Sequence, residues 1–324
     1  MRTQKVLLAF LVVIAALVAG EPASSQIWPQ KPVRIVVPFA PGGNTDGIAR
    51  LIAQPLGETF GQLFVVENRP GAAGAIAAEA VARAPADGQT LLMGTPSQIA
   101  IIPAMAKTPY DPVKDLAPIS VVGTNPYVLV VHAGMPARNL AELAAYARRQ
   151  PDKLAYAAPV FGGLSHLSML LFLKRAGLEM TPVSYKGGAA PLADVVAGHV
   201  PIYFATLSEA VSQARGGAIR LLAVSSENRV PQIPDVPTFA ESGFPGFKVL
   251  TWNGLMAPAA VPKETIDRIA KEVSRAVKDA KFAERLAAFG IDPLGNTPVE
   301  FAAMIAADIA MWGEAIKIAG VQEK

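Results

Sequence analysis

The sequence predicts an α/β protein organised in two lobes, and three observations carry that prediction. The chain has 324 residues, about twice a common single-domain length. Short β-rich runs alternate with helix-period patterns, the signature of parallel strands joined by crossover helices. The alternation restarts beyond Gly123 and gives way to a helix-rich tail, while 28 Pro and 27 Gly punctuate the apolar runs instead of gathering in one tract.

In the first block, the β-branched run Val33 to Ala40 reads as a strand. Thr45 to Leu56 carries helix spacing after a capping residue, and Leu63 to Glu67 returns to strand character. Ala-rich Gly74 to Arg83 is a helix closed by the turn Asp87-Gly88. Thr90 to Gly94 is a strand and Ser97 to Met105 a helix. A Pro-punctuated connection from Thr108 to Pro118 leads to a strand at Ile119 to Val122. In the second block, strands are expected at Tyr127 to Val131, Leu154 to Ala157, Val183 to Tyr185, Ile202 to Phe204 and Ile219 to Val224. Helices are expected at Asn139 to Arg149, Ser165 to Ala176, Ala190 to Ala197 and Ser208 to Ala214. A Pro/Gly-dense stretch, Val230 to Phe247, precedes Lys248 to Met256. Helices at Lys263 to Asp279, Phe282 to Phe289 and from Val299 to about Ala319 close the chain.

Composition narrows the function. A net charge of +3, with no long basic run, does not suit phosphate tracking, so nucleic-acid binding is not expected. The absence of cysteine removes disulfides, thiolate catalysis and Cys-based metal sites. His132, His166 and His199 are too dispersed for a metal motif, so neither metal nor cofactor is expected. The N-terminus reads as an export signal. Arg2 and Lys5 precede the apolar run Val6 to Val18, and Ala23 and Ser25 supply small residues for cleavage near Ser25. The apolar run falls short of the roughly 20 residues that span a bilayer. Residues 1–25 are thus expected to be removed, leaving an exported, soluble, periplasmic protein.

In such sheets, ligands sit where strands run into helix N-termini. The first such loop is Pro38 to Asp46. Gly42 and Gly43 let N–H groups turn inward, and the helix after them offers the positive end of its dipole. The loop reads equally as a capped helix with a tight turn. Asp46 lies four residues before Arg50, the spacing of an intrahelical ion pair. The second loop, Phe161-Gly162-Gly163-Leu164-Ser165-His166, again opens a helix. It breaks the G-x-S-x-G elbow at Leu167, and neighbours on a helix do not face each other, so a nucleophilic Ser165 is disfavoured. A third, Ser184-Tyr185-Lys186-Gly187-Gly188, and the strand ends Gly94 to Ser97 and Phe204 to Thr206 complete the set. Backbone donors and hydroxyls without paired carboxylates or an activated base suit holding a carboxylate better than transforming it, so no enzyme is expected.

These segments also carry a family resemblance. Pro38-Phe39-Ala40-Pro41-Gly42-Gly43, with Asp46, Ala49 and Arg50, resembles the opening motif of the Bug-type periplasmic receptors of tripartite tricarboxylate transporters. Glu67 to Gly74, Asp87 to Gly94, Gly162-Gly163 with Ser165-His166-Leu167, and Tyr185-Lys186-Gly187 extend it. Pro234 to Thr238 with Glu241-Ser242-Gly243, and Trp252 to Leu255 with Ala257-Pro258, extend it further, in order along the chain.

The resemblance implies a two-lobed Venus-flytrap with two hinge crossings, near Gly123 and near Gly243 to Gly246. Lobe 1 would be residues 26–122 plus 246–324, and lobe 2 residues 123–245. It implies a small organic carboxylate held between the lobes and delivered to membrane permease subunits, by a protein expected to be monomeric. Phe39, Ala40, Gly42, Gly43 and Asp46 map onto the first binding loop, with Ser97, Gly163, Ser165 and Thr206 as looser matches. The chain departs from the family pattern at Ala205, where many members carry an acid, and at Ser168 to Leu170, where many carry Glu. An ammonium needs such an acid, so bare carboxylates are expected to bind better than their α-amino analogues. A sensor input of the same fold and a Ser165-dependent hydrolase are the alternatives.

Overall fold

A computed structural model describes residues 28–150, 154–185, 190–288 and 290–319. The leader, residues 1–25, lies outside the described residues.

The first lobe is built on a mixed sheet. Strand β1 (Val33–Val37) is flanked in parallel by β2 (Phe64–Asn68) and β3 (Thr90–Gly94). Helix α1 (Asn44–Phe60) makes the crossover between β1 and β2, and α2 (Ala75–Ala82) that between β2 and β3. All of β3 is buried, as a continuous apolar strand in the middle of a covered sheet should be. After β3, the expected helix from Ser97 begins as a π-helical turn, Ser97–Ile101, and ends as the short α3 (Ile102–Met105).

The Pro-punctuated connection then enters β4 (Leu116–His132), a single long strand that serves both lobes. Its first part, to Pro126, pairs antiparallel with β9 (Leu250–Pro258), which lies beside β3. Its second part, from Tyr127, pairs with β7 (Ile202–Thr206) on one side and β8 (Ile219–Val224) on the other. The two runs expected on either side of Gly123 are therefore one strand, and its partners change between Pro126 and Tyr127. Pro126 has no N–H to continue the first ladder. Gly123 has a different reason to be glycine. A Cβ there would stand 2.6 Å from Ile291 Cγ2 and 2.9 Å from the Asp292 carbonyl oxygen, because β10 (Asp292–Pro293) crosses over it.

In the second lobe, α4 (Leu140–Arg148) leads to β5 (Ala155–Ala158), and α5 (Leu164–Ala176) leads to β6 (Thr181–Ser184). Helix α6 (Ala190–Val196) precedes β7, and α7 (Leu207–Ala214) follows it directly. Strand β5 runs parallel to both β6 and β7. The Pro/Gly-dense stretch folds back on this lobe through Phe239 and Phe247, whose rings stack at 4.4 Å, with Phe239 edge-on to Phe204 and Phe172. The chain returns to the first sheet between Val249, which donates to the Ser225 carbonyl, and Leu250, which pairs with Pro126.

Helices α8 (Lys263–Lys278) and α9 (Ala280–Ala288) cover the first sheet, with Ile266, Ile269, Val273 and Leu286 in its core. The last helix, α10 (Pro298–Ala319), spans both lobes. Phe301 and Ile305 sit in a first-lobe cluster, where Phe301 meets Trp252 edge-on at 5.0 Å. Trp312 and Ile316, further along the same helix, are buried in the second-lobe cluster with Leu167 and Phe172. The sequence reading gives the whole tail to lobe 1, whereas the far end of this helix packs on lobe 2. Among the described residues no helix is long and apolar enough to cross a membrane.

Candidate functional site

The two lobes enclose a cavity of about 70 Å³ at the end of β1, against the starts of α1, α5 and α7. The first wall is the loop before α1. Gly42 adopts φ +86°, and its N–H donates to Asp46 Oδ2 at 3.1 Å. Arg50 Nε donates to the same oxygen at 3.1 Å, and Arg50 Nη2 lies 3.0 Å from Oδ1. Asn68 Nδ2, on β2, donates to Asp46 Oδ1 and to the Phe39 carbonyl, both at 3.0 Å. The pair Asp46–Arg50 expected from spacing is therefore present. Burial pushes the Asp46 carboxyl upward, but donation from Arg50, the Gly42 N–H and Asn68 outweighs it and holds the group below its usual range. This carboxylate shapes the loop.

Helix α1 starts after Gly43, an extended N-cap without a side-chain cap, and its ladder begins only with Gly47 N–H to the Gly43 carbonyl. Helix α5 starts likewise after Gly163, and its ladder begins with Leu167 N–H. Both N-termini thus bring N–H groups and dipole charge to the cavity. The Leu164 N–H is used across the cleft, donating to Ser97 Oγ at 3.2 Å. One further bond joins the lobes, Ser208 Oγ donating to Asn44 Oδ1 at 2.6 Å, and beside it the Leu207 N–H donates to Asn125 Oδ1 at 3.0 Å.

The second loop rests on His166. Gly162, at φ +77°, donates its N–H to His166 Nδ1 at 3.0 Å, and the ring lies against Phe161 and Tyr156. Ser165 Oγ donates to the Phe204 carbonyl at 2.6 Å. Serine and histidine each serve the backbone, not each other, which is not the geometry of a nucleophile with its base. His132 accepts from the Gly134 N–H and His199 pairs with Asp194, so all three histidines are engaged locally.

Burial depresses the His166 imidazole to about 4, against about 6.5 in an unfolded chain. As pH falls the unfolded state takes up the proton first. The stability conferred by the neutral ring is complete above about 6.5 and is lost between there and about 4. The thermal unfolding midpoint is expected to drop across that window, and to drop less in His166→Gln. Equal pH profiles in calorimetry would refute this assignment.

Of the residues singled out from sequence, Phe39, Ala40, Gly43, Asp46, Ser97, Gly163, Ser165 and Thr206 line the cavity. Gly42 does not; it faces a neighbouring groove beyond the Asn44–Ser208 bond and acts through Asp46. Of the third loop, Ser184 ends β6 and the Tyr185 hydroxyl donates to Asp194 Oδ2, while residues 186–188 lie outside the described residues. Sequence reasoning missed Tyr127, Tyr203, Glu209 and Thr251, which also line the cavity. The tyrosines lie inside apolar strands and read as core. Glu209 stands three residues after Thr206, a capping-box spacing that its carboxylate fulfils with the Thr206 N–H at 3.4 Å. Burial raises the Glu209 carboxyl, against donation from Tyr203, Thr206 and the Asn44 N–H. Among the described residues no lysine or arginine lines the cavity.

Two α/β lobes joined by crossing strands, closed over a small cavity at helix N-termini, define a bilobal solute-binding protein. Residues 48–321 match the family model described as the tripartite tricarboxylate transporter family receptor. The chain is 33% identical to Protein BugT of Bordetella pertussis, over 100% of both chains. The solved structure of R. palustris Rpa4515 with adipate shares 37% identity at a TM-score of 0.88, covering 91% of this chain and 99% of that one. The periplasmic binding protein BugD shares 34% at 0.87, covering 92% and 100%. The chain belongs to the tripartite tricarboxylate transporter receptor family, as a Bug-type member.

Proposed function

We propose that this protein captures a small organic carboxylate between its lobes in the periplasm and delivers it to the permease subunits of a tripartite tricarboxylate-type transporter. The observation that carries this reading is the meeting of the uncapped N-termini of α1 and α5, one from each lobe, on one cavity without a basic side chain. Such donors favour a carboxylate over a neutral solute. The adipate bound to Rpa4515 supports the ligand class.

In this reading Phe39, Ala40, Gly43, Ser97, Gly163, Ser165 and Thr206 surround the ligand, and Gly42 and Asp46 set the first loop. Lobe 1 is residues 26–122 plus 246–324 and lobe 2 is 123–245, with the end of α10 reaching from the first onto the second. The leader is removed near Ser25, and the receptor works as a monomer. The closed state is useful because the ligand touches both lobes and so favours closure.

Mass spectrometry of ligand released from protein purified from periplasm is the test. A small carboxylate is expected, and X-ray scattering should show compaction when it is added back. Release of a neutral or cationic solute would overturn the reading, as would an unchanged radius at saturation.

A further inference from the structure

Glu209 contributes a carboxylate to the cavity on which the N-termini of α1 and α5 meet. Its helical position accounts for part of its bonding, since a capping box places an acid or amide at the third helical residue. A glutamine would fill that role equally well, and a capping carboxylate is ordinarily left in water. Here the carboxylate lines the cavity between the lobes, and two donors meet its Oε2 atom. Tyr203 Oη donates at 3.0 Å and the Thr206 N–H at 3.4 Å.

Two consequences follow. Both donors go to Oε2, and an ionised carboxylate has about four lone-pair directions, so Oε1 can accept from a group in the cavity. The α1 N-terminus and Glu209 line the same cavity, so a ligand carboxylate held by that N-terminus lies near a second carboxylate. An apolar or anionic group set against Glu209 would leave that acceptor desolvated or repelled. A hydroxyl or ammonium would satisfy it.

We propose that Glu209 is a specificity-determining residue, selecting carboxylates that carry a hydrogen-bond donor, hydroxyl or ammonium, next to the carboxylate. This rests on the carboxylate-receptor reading above. It replaces the preference for bare acids expected from Ala205 and Thr206, because the acid comes from the first turn of α7 instead of the end of β7.

The test uses three matched series on the full mature protein: succinate, malate and aspartate; butyrate with its 2-hydroxy and 2-amino derivatives; and 3-phenylpropionate, phenyllactate and phenylalanine. Calorimetry is run on wild type and on Glu209→Gln, whose amide keeps the cap, with urea unfolding curves as the check on folding. In the series that binds, the donor-bearing members should be favoured over the bare acid by about ten- to a hundredfold, the worth of a charge-assisted hydrogen bond. In Glu209→Gln that preference should shrink at least tenfold for the amino member and less for the hydroxy member. A bare acid that binds as tightly as its partners, or a preference unchanged in Glu209→Gln, overturns the proposal and leaves the receptor reading standing. Absence of binding by every member of all three series to both proteins counts against both.

Discussion

Ser165→Asp is expected to lower affinity for the carboxylate ligand by about a thousandfold. Ser165 is buried at the start of α5 and lines the cavity. Its hydroxyl is committed to the Phe204 carbonyl, so in the proposed reading the attraction for the ligand comes from the helix N–H groups beside it. A carboxylate introduced there would stand about 4 Å from the ligand's own. At an effective dielectric near 20 that repulsion is about 4 kcal/mol, which is about three decades in Kd. Ser165→Ala is the control, since it loses the hydroxyl bond at a stability cost of about 1 kcal/mol without adding charge. Calorimetry with the ligand identified by mass spectrometry reads both variants. A loss of less than tenfold in a folded Ser165→Asp protein would place the ligand carboxylate elsewhere.

Trp312→Ala is expected to destabilise the protein by about 3–5 kcal/mol in urea unfolding. Trp312 is 2% exposed and packs in the second-lobe core, although Phe301, earlier in the same helix, packs in the first. Truncation opens a cavity where the tail grips lobe 2. Trp312→Phe should cost less, because it keeps much of the ring volume and removes a buried indole N–H that has no partner among the described residues. A loss below about 1 kcal/mol for the alanine variant would show that this end of α10 contributes little to the lobe it covers.

The residues differ in how far sequence alone exposes them. The first loop was readable because its chemistry is local: two glycines, a helix start, and an acid four residues before an arginine. That Ser165-His166 breaks the nucleophile-elbow pattern was readable for the same reason, although the partners of the two side chains, the Phe204 carbonyl and the Gly162 N–H, are seen only in the fold. Asn68 gave no local sign of its role. It lies on β2, and only the parallel pairing of β2 with β1 brings it to Asp46 and Phe39.

By itself the sequence determined the alternation of strands and helices, the loops that line the cavity, and the family, because each rests on hydrophobic period, turn chemistry or contiguous motifs. Tertiary structure alone decided that β4 is one strand shared by two sheets, and that α10 leaves one core for the other. It also decided that Tyr127, Tyr203 and Glu209 reach the cavity. Strand pairing and lobe closure bring together groups far apart in the chain, and a tyrosine in an apolar strand has the same local pattern whether its hydroxyl ends in the core or in a ligand site.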